Sequence, residues 1–218
     1  MSRKSFWQLL YLESLGLNEV ILPEGVKTKA QALEEVRRQV LRCTRCDLHK
    51  TKTHYVFGSG NPYADLMFVG EAPGAEEDKK GKPFVGRAGQ LLDRLLQEVG
   101  LNRETDLYIT NVLKCRPPRN RDPEPGEIQA CFPYLKAQIQ ILRPRLLVAL
   151  GRFAAWTLYG MQKKMSLLRM QVQQSKFGIP LVVTYHPAAA LRREALTDEM
   201  RRDFQLMVQT LEQLRQSS

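Results

Sequence analysis

The four cysteines of the chain are spaced as metal ligands rather than as disulfide partners. Cys43 and Cys46 form a C-x2-C pair, a chelating spacing, whereas fifteen residues rich in arginine and proline separate Cys115 from Cys131. Four thiolates are the ligand set of an iron–sulfur cluster and also of structural zinc. Because a zinc ribbon usually has two close pairs, the wide second pair favours a four-iron, four-sulfur (4Fe-4S) cluster. Zinc and four buried structural thiols are the alternatives.

A second candidate for chemistry is His186, which follows the apolar run 181–185 and precedes Pro187. Proline cannot continue a central strand, so the imidazole stands where a strand ends and a loop begins. A histidine in this place can take part in catalysis, or it can be a satisfied polar group at a strand end. The residues at the neighbouring strand ends bear on that choice.

Three further apolar runs, 66–69, 107–112 and 146–150, predict strands. Helical patterns alternate with the strands, at 89–99, 127–142, 152–159 and 198–214. The alternation predicts an α/β fold with three α/β/α layers and a central four-stranded, mainly parallel sheet. Such folds bind ligands where the carboxyl ends of parallel strands meet. The residues expected to line one cleft there are Glu71, Asn111, Gly151 and His186.

The net charge of +10 is concentrated in one part of the chain. Residues 128–193 contain ten lysines and arginines and no acidic residue, and elsewhere 23 basic residues are balanced by 23 acidic ones. This asymmetry is typical of a surface that meets a polyanion such as nucleic acid, although a solvated basic face has the same composition. The loop that follows Cys115 adds three arginines that we expect to contact phosphates, namely Arg116, Arg119 and Arg121.

Residues 1–29 are predicted to form an N-terminal helical extension, and residues 30–218 form the domain that carries the cleft and the cysteines. A second helix, from about Lys29 to Arg42, runs directly into Cys43. No uncharged run is long enough to span a bilayer, and no signal-peptide cleavage pattern follows the N-terminus. We therefore expect a cytoplasmic, nucleoid-associated protein, with a monomer as the simplest state.

Five motifs and the four cysteines together carry a specific resemblance. The motifs are GEAPGAEED, GKPFVGRAGQLLD, YITNVLKCRPP, RPRLLVALGRFAA and TYHPAAAL, which begin at residues 70, 81, 108, 143 and 184. In this order the chain resembles the family 4, iron–sulfur uracil-DNA glycosylases from about Leu41 to Arg193. The resemblance implies a DNA repair enzyme that binds uracil-containing DNA, single- or double-stranded. Such an enzyme rotates uracil out of the stack and hydrolyses its N-glycosidic bond, leaving an abasic site.

The resemblance also implies a role for each matched residue of the cleft. Phe84 stacks on the extruded base, Asn111 reads its Watson–Crick edge, and Glu77 lies beside uracil C5, where it excludes the methyl group of thymine. His186 donates a hydrogen bond to O2 of the departing uracil, whose negative charge exists only late in the reaction. The floor of the pocket is formed by Gly70, Glu71 and Ala72.

The chain departs from the best-known uracil glycosylases at two places. Ala72 stands where an aspartate positions the attacking water, which leaves either Glu71 as the catalytic carboxylate or a mechanism driven mainly by leaving-group stabilisation. Three alanines follow the His-Pro pair where a large apolar side chain is common. We therefore expect Leu191 to fill the gap left by the flipped base, with Arg192 and Arg193 on adjacent phosphates. A core-facing Leu191 is the alternative.

Two further expectations concern the type of activity. A sister class captures uracil DNA covalently through a loop that contains histidine, but the stretch KCRPPRNRDPEPGE contains none, so we expect turnover. The competing hypothesis is a non-catalytic nucleic-acid-binding module with a structural metal site held by the four cysteines. In such a module the basic surface and the cysteines matter, and the cleft does not.

Overall fold

The four predicted strands form the centre of one sheet, and two short strands extend it at its edges. The computed structural model describes residue 25 and residues 28–217. The strands are β1 Ser59–Gly60, β2 Leu66–Gly70, β3 Leu107–Asn111, β4 Leu146–Leu150, β5 Gln173–Gln174 and β6 Pro180–Thr184, in the order β1-β3-β2-β4-β6-β5. The central four are parallel, and β1 and β5 pair antiparallel at the edges. The prediction missed both edge strands because a two-residue strand has no apolar run.

Helices cover both faces of the sheet, as the alternation of strand and helix predicts. They are α1 Lys29–Leu41, α2 Ala75–Lys80, α3 Arg87–Glu98, α4 Pro125–Leu142, α5 Arg152–Tyr159, α6 Met165–Leu168, α7 Pro187–Ala190 and α8 Ala195–Gln216. Met67 and Val69 of β2 pack with α1, α4 and α5 on one face, whereas Leu66 and Phe68 pack with α3 and α8 on the other. Burial on both faces explains why the central strands have continuous apolar sequences.

The parallel register brings the polar strand ends to one level. Gly70 at the end of β2 pairs with Asn111 at the end of β3, and Leu150 at the end of β4 pairs with Thr184 of β6. The chain passes from β2 to β3 on one side and then to β4 on the other side of β2. Ligand clefts of open α/β sheets form at such a reversal, outside the carboxyl ends of the strands.

The predicted boundary at residues 29 and 30 falls at the start of α1. Thr28 caps this helix, since its Oγ1 accepts a hydrogen bond from Gln31 N and its main-chain N donates to Gln31 Oε1, both at 3.1 Å. Most of the helical extension predicted for residues 1–29 lies outside the described residues. In the described part of the chain, no helix is long and apolar enough to cross a bilayer.

Candidate active site and cysteine cavity

The ends of β2 and β3 place an unpartnered amide oxygen in the predicted cleft. Asn111 is only 1% exposed, and its Oδ1 is buried with no hydrogen-bond partner among the described residues. A Cβ at Gly70 would lie 2.3 Å from this oxygen and 2.6 Å from Cζ of Phe84, so only glycine leaves room for both side chains. A buried acceptor without a donor costs about 1–3 kcal/mol. This oxygen is therefore available to a donor from a bound ligand.

Phe84, beside this oxygen, is held in a strained backbone conformation. Its φ of 51° lies in the left-handed region, which an aromatic residue rarely adopts. Oε1 of Glu77 accepts hydrogen bonds from the main-chain N–H groups of residues 85–86 at 2.9 and 2.8 Å. Arg103 donates to Phe84 O at 2.7 Å, and a Cβ at Gly89 would lie 1.9 Å from the same oxygen. These contacts hold the Phe84 ring beside Asn111, and strained residues that are held in this way often occur at functional sites.

His186 caps the short helix α7, and this contact determines which ring nitrogen carries the proton. Nδ1 accepts a hydrogen bond from Ala188 N at 3.1 Å, so the proton of the neutral imidazole lies on Nε2. Burial lowers the pKa of His186 to about 4, while Glu77 acts in the opposite direction. At neutral pH the ring is therefore an uncharged N–H donor. Its centroid lies 5.6 Å from that of the Phe84 ring.

Gly151, the fourth residue expected at the strand ends, packs directly against His186. Its φ is 90°, and a Cβ would lie 2.9 Å from Cβ of His186. Its main-chain N donates to Thr184 O at 2.9 Å, which joins the ends of β4 and β6. Glycine is needed here for both its backbone conformation and its lack of a side chain.

Glu71 follows β2 and lies in a group of charged residues at the rim of the cleft. Burial raises the pKa of Glu71 to about 7; Asp122 adds to this increase, and Arg152 opposes it. Asp122, from the loop after β3, forms an ion pair with Arg152, the first residue of α5. Only the fold brings these three residues together. The sequence prediction included Glu71 and missed the other two.

The two remaining predicted pocket residues, Glu77 and Ala72, differ in what they contact. The carboxylate of Glu77 supports residues 85–86, a task that the sequence did not predict, and its Oε2 lies near Gly74, where a Cβ would be 2.7 Å away. Ala72 is partly buried and packs against the hydrophobic core. The place of Glu77 beside uracil C5 stays a prediction.

The loop that follows α7 presents the residues expected to contact DNA. Leu191 is 40% exposed, so the alternative of a core-facing side chain is wrong. Arg192 and Arg193 are also exposed. An exposed leucine five residues after His186 is suitably placed to enter DNA beside the cleft. Its action as a wedge stays a prediction.

The three arginines of the loop after β3 have different partners. Arg121 donates two hydrogen bonds to the carboxylate of Glu127, at 2.6 and 2.9 Å, and so stabilises the start of α4. This pairing argues against the predicted phosphate contact of Arg121. Arg116 donates to Asn120 Oδ1 at 2.8 Å, and Arg119 is exposed. Arg116 and Arg119 are thus the better candidates for DNA contact.

The basic run 128–193 is partly neutralised by the fold. Three of its arginines form ion pairs with acidic residues from other parts of the chain, as Arg145–Asp65, Arg152–Asp122 and Arg169–Asp203. The charge of the run therefore overstates the positive surface that is available to DNA phosphates.

All four cysteines line one cavity between α1, the loop after β3 and α4. The four thiols are free and form no disulfide. Burial raises the pKa of Cys46, Cys115 and Cys131, the last to about 11. Across residues 28–217, no three His, Cys, Asp or Glu side chains form a site for a single metal ion. Four thiols around one cavity are the donor set of a polynuclear centre that takes one thiolate at each corner.

Comparison with known proteins places this fold in a family. The family model described as the Uracil DNA glycosylase superfamily matches residues 57–214. A type-4 uracil-DNA glycosylase of Archaeoglobus fulgidus is 48% identical over 181 residues, which cover 80% of this chain and 90% of the relative. The chain belongs to the type-4 uracil-DNA glycosylase family. This membership confirms the resemblance that the five motifs predicted.

Two further relatives show how the type-4 uracil-DNA glycosylase assignment compares with a related class. A type-4 uracil-DNA glycosylase of Thermotoga maritima is 45% identical over 177 residues, 80% of this chain and 90% of the relative. A type-5 uracil-DNA glycosylase of Pyrobaculum aerophilum is 30% identical over 165 residues, 66% of this chain and 72% of the relative. The higher identity and coverage agree with the type-4 assignment.

Sequence reasoning missed the residues that hold this type-4 uracil-DNA glycosylase site in shape. Arg103 supports Phe84, and the buried Asp78 accepts a hydrogen bond from Thr53 N at 2.8 Å, which ties α2 to the segment after the C-x2-C pair. Lys114 has a fully buried side chain beside Asn111. The only sequence signal for Lys114 was its place between Asn111 and the third cysteine. Arg103, Asp78 and Lys114 all make their contacts through tertiary packing, which the sequence does not show.

Proposed function

We propose that this protein excises uracil from DNA by hydrolysing the N-glycosidic bond and leaves an abasic site. The observation that carries the proposal is the unpartnered Oδ1 of Asn111, which shares a cleft with the Phe84 ring and the N–H donor of His186. Uracil has the complementary groups, a donor at N3 and acceptors at O2 and O4. Phe84 offers a flat apolar surface on which the extruded ring can stack.

The amide of Asn111 distinguishes uracil from cytosine. Its Oδ1 accepts a hydrogen bond from uracil N3–H, and its Nδ2 donates to O4. Cytosine has an acceptor at N3 and an amino donor at C4, so it would leave these groups mismatched at about 1–3 kcal/mol each. An amide rotated by half a turn would suit cytosine equally well. Selectivity therefore requires that the surrounding structure hold Asn111 in one orientation.

His186 stabilises the charge that develops on the leaving group. As the bond breaks, the sugar becomes cation-like and uracil takes the electron pair as an anion. Nε2–H of the neutral imidazole donates to uracil O2, and this hydrogen bond strengthens as the charge grows. The hydrogen bond from Ala188 N to Nδ1 keeps the donor on the correct nitrogen.

Glu71 is the carboxylate that can orient the attacking water. With its pKa raised to about 7, it is partly ionised at neutral pH and fully ionised above that range. Its carboxylate then accepts a hydrogen bond from the water that adds to the sugar. A mechanism driven by leaving-group stabilisation alone would not depend on this ionisation.

We assign a 4Fe-4S cluster to the cavity lined by Cys43, Cys46, Cys115 and Cys131. When bound, the cluster supplies a covalent tie between the end of α1 and the loop after β3, with no redox step. A mononuclear zinc site is the alternative, and the wide spacing between Cys115 and Cys131 favours the cluster. A colourless, zinc-replete protein would contradict the assignment.

The DNA partner is held by the residues around the cleft. Arg116, Arg119, Arg192 and Arg193 contact phosphates, and Leu191 fills the space of the flipped nucleotide. Turnover, a monomeric state and a cytoplasmic location next to the nucleoid stay predictions.

The direct test uses oligonucleotides that carry uracil, cytosine or thymine at one position, followed by alkali, which breaks the strand at abasic sites. We expect cleavage of the uracil strand alone. Asn111→Asp is expected to abolish uracil excision and to permit weak attack on cytosine, because a carboxylate can accept from the cytosine amino group. DNA binding without cleavage by the unmodified protein would instead support the non-catalytic module.

A further inference from the structure

Lys114 has a buried side-chain amine whose hydrogen-bond partners all carry no charge. The residue is 1% exposed, and its Nζ donates to Thr110 Oγ1, Asn111 O and Gln138 Oε1, each at 2.7 Å. Three acceptors thus surround Nζ, and they account for all the hydrogen bonds that a lysine amine can donate. Burial of a lysine costs free energy, so its complete pairing indicates that the residue has a specific role.

We propose that Lys114 is a positioning residue that sets Asn111 for base reading and links it to the cysteine cavity. The inference rests on the proposed role of Asn111 in the recognition of uracil. Lys114 touches neither the base nor the sugar in this account and acts only through Asn111.

The partners of Lys114 are themselves held in place. Thr110 Oγ1 donates to Phe57 O at 2.7 Å, and Gln138 Nε2 donates to the same oxygen at 2.9 Å. Through these partners, Nζ of Lys114 connects β3, α4 and the segment before β1. Because Thr110 and Gln138 share one main-chain anchor, Nζ cannot shift without breaking several hydrogen bonds.

The turn after β3 is held by Lys114 on one side and by main-chain hydrogen bonds on the other. On the other side, Val112 N donates to Gly70 O at 2.9 Å and Leu113 N donates to Glu71 O at 3.0 Å. Nζ of Lys114 closes the turn by its bond to Asn111 O. Since Oδ1 of Asn111 has no partner of its own, the main chain at residue 111 must set where that oxygen lies.

The same residue contacts the cysteine cavity. Its main-chain N donates to Sγ of Cys131 at 3.3 Å, and the next residue in the chain is Cys115. A rearrangement of the cysteine loops thus reaches the base-reading amide through one residue. This link gives the cavity a route of influence on the cleft.

The test is a double-mutant cycle between Lys114→Met and Asn111→Ala, measured as single-turnover uracil excision. Methionine keeps the length of the side chain and removes the donors. We expect Lys114→Met to slow excision about 10- to 100-fold, because it removes the hydrogen bond from Nζ to Asn111 O and leaves buried acceptors without a donor. In the Asn111→Ala background the same change should alter the rate by less than about threefold, because the two residues act as one unit.

Several outcomes would separate this inference from the proposed function. If Asn111→Ala alone excises uracil normally, the proposal that Asn111 recognises the base is wrong. If Asn111→Ala is impaired and Lys114→Met slows both backgrounds equally, Lys114 does not act through Asn111, and the inference alone is overturned. Loss of iron or of visible absorption in Lys114→Met would show that the slower excision comes from damage to the cavity, and it would overturn the positioning of Asn111 by Nζ.

Two further variants guard against a general loss of structure. Met207→Ala, in the fully buried part of α8 on the opposite face of the sheet, is expected to lower thermal stability and leave the excision rate unchanged. If Lys114→Met does not fold, Thr110→Val removes one acceptor of Nζ without touching Asn111. Its smaller effect should also vanish in the Asn111→Ala background, and an effect that persists there refutes the inference.

Discussion

The cleft and the cysteine cavity both shift ionisable groups toward their neutral forms, but this neutrality has opposite consequences. In the cleft, burial lowers the pKa of His186 to about 4 and raises that of Glu71 to about 7. A neutral imidazole is already the form that donates to a departing anion. In the cavity, burial raises the pKa of Cys131 to about 11, and a neutral thiol does not bind a metal.

The two sites differ in how far their groups are already held in place. In the cleft, Gly151 and Ala188 hold His186, and Arg103 holds the main chain of Phe84. In the cavity, binding of the proposed cluster would replace the thiol protons and would link cluster binding to the folding of this region. Cleft variants should therefore change rates, and cavity variants should change stability.

The largest expected effect is that of His186→Ala on the rate. Loss of the donor to uracil O2 should slow single-turnover excision about 10²- to 10³-fold, the usual cost of one such donor. Fluorescence anisotropy should show DNA affinity within a few-fold of the unmodified protein, with the visible absorption unchanged. An equal loss of binding and rate would break the distinction between the two sites.

Cys131→Ser should have its main effect on stability. The variant is expected to lose visible absorption and to melt on the order of 10 °C lower, since each kcal/mol lost shifts the Tm of a protein of this size by about 2–4 °C. Iron analysis and thermal unfolding check both effects. A variant that retained the Tm of the unmodified protein would show that the cavity needs no metal for its stability.

Glu71→Gln should give a smaller effect that depends on pH. The folded-state pKa of about 7 lies above the unfolded value near 4.5, so folding favours the protonated carboxyl. The stability of the unmodified protein relative to the variant therefore falls as pH rises from about 4.5 to about 7 and stays constant above that. Glu71→Gln should raise Tm more at pH 8 than at pH 5.

The same variant separates the two proposals for the attacking water. If the Glu71 carboxylate orients the water, the rate of the unmodified protein rises as pH increases through about 7. The rate of Glu71→Gln should then be lower and flat across this range. Identical pH–rate profiles for the two proteins would favour a mechanism driven by leaving-group stabilisation.

The central part of the fold was predictable because its pattern is local. Four apolar runs alternate with helical patterns, and the structure places strands at all four, with β4 at the predicted bounds. The two-residue strands β1 and β5 and the short helices α2, α6 and α7 were missed. Elements of this length have no periodicity to detect, and only neighbouring chain segments make them form.

The candidate site divides in the same way. Residue types and spacing singled out the cysteines, His186 and Asn111, because thiolates, imidazoles and carboxamides at these positions have few other uses. The sequence also predicted that Arg121 contacts phosphate, whereas the fold pairs it with Glu127. Charge alone did not reveal that partner, since composition does not show which basic residues already face a carboxylate.

The sequence by itself determined the chemical inventory: a set of four thiols, an imidazole and an amide at strand ends, and the order of the elements that carry them. The tertiary structure decided the rest, including the unpartnered Oδ1 of Asn111, the left-handed backbone of Phe84 and the buried amine of Lys114. These properties depend on distances between residues far apart in the chain. Such distances arise only when the sheet and its helices pack together.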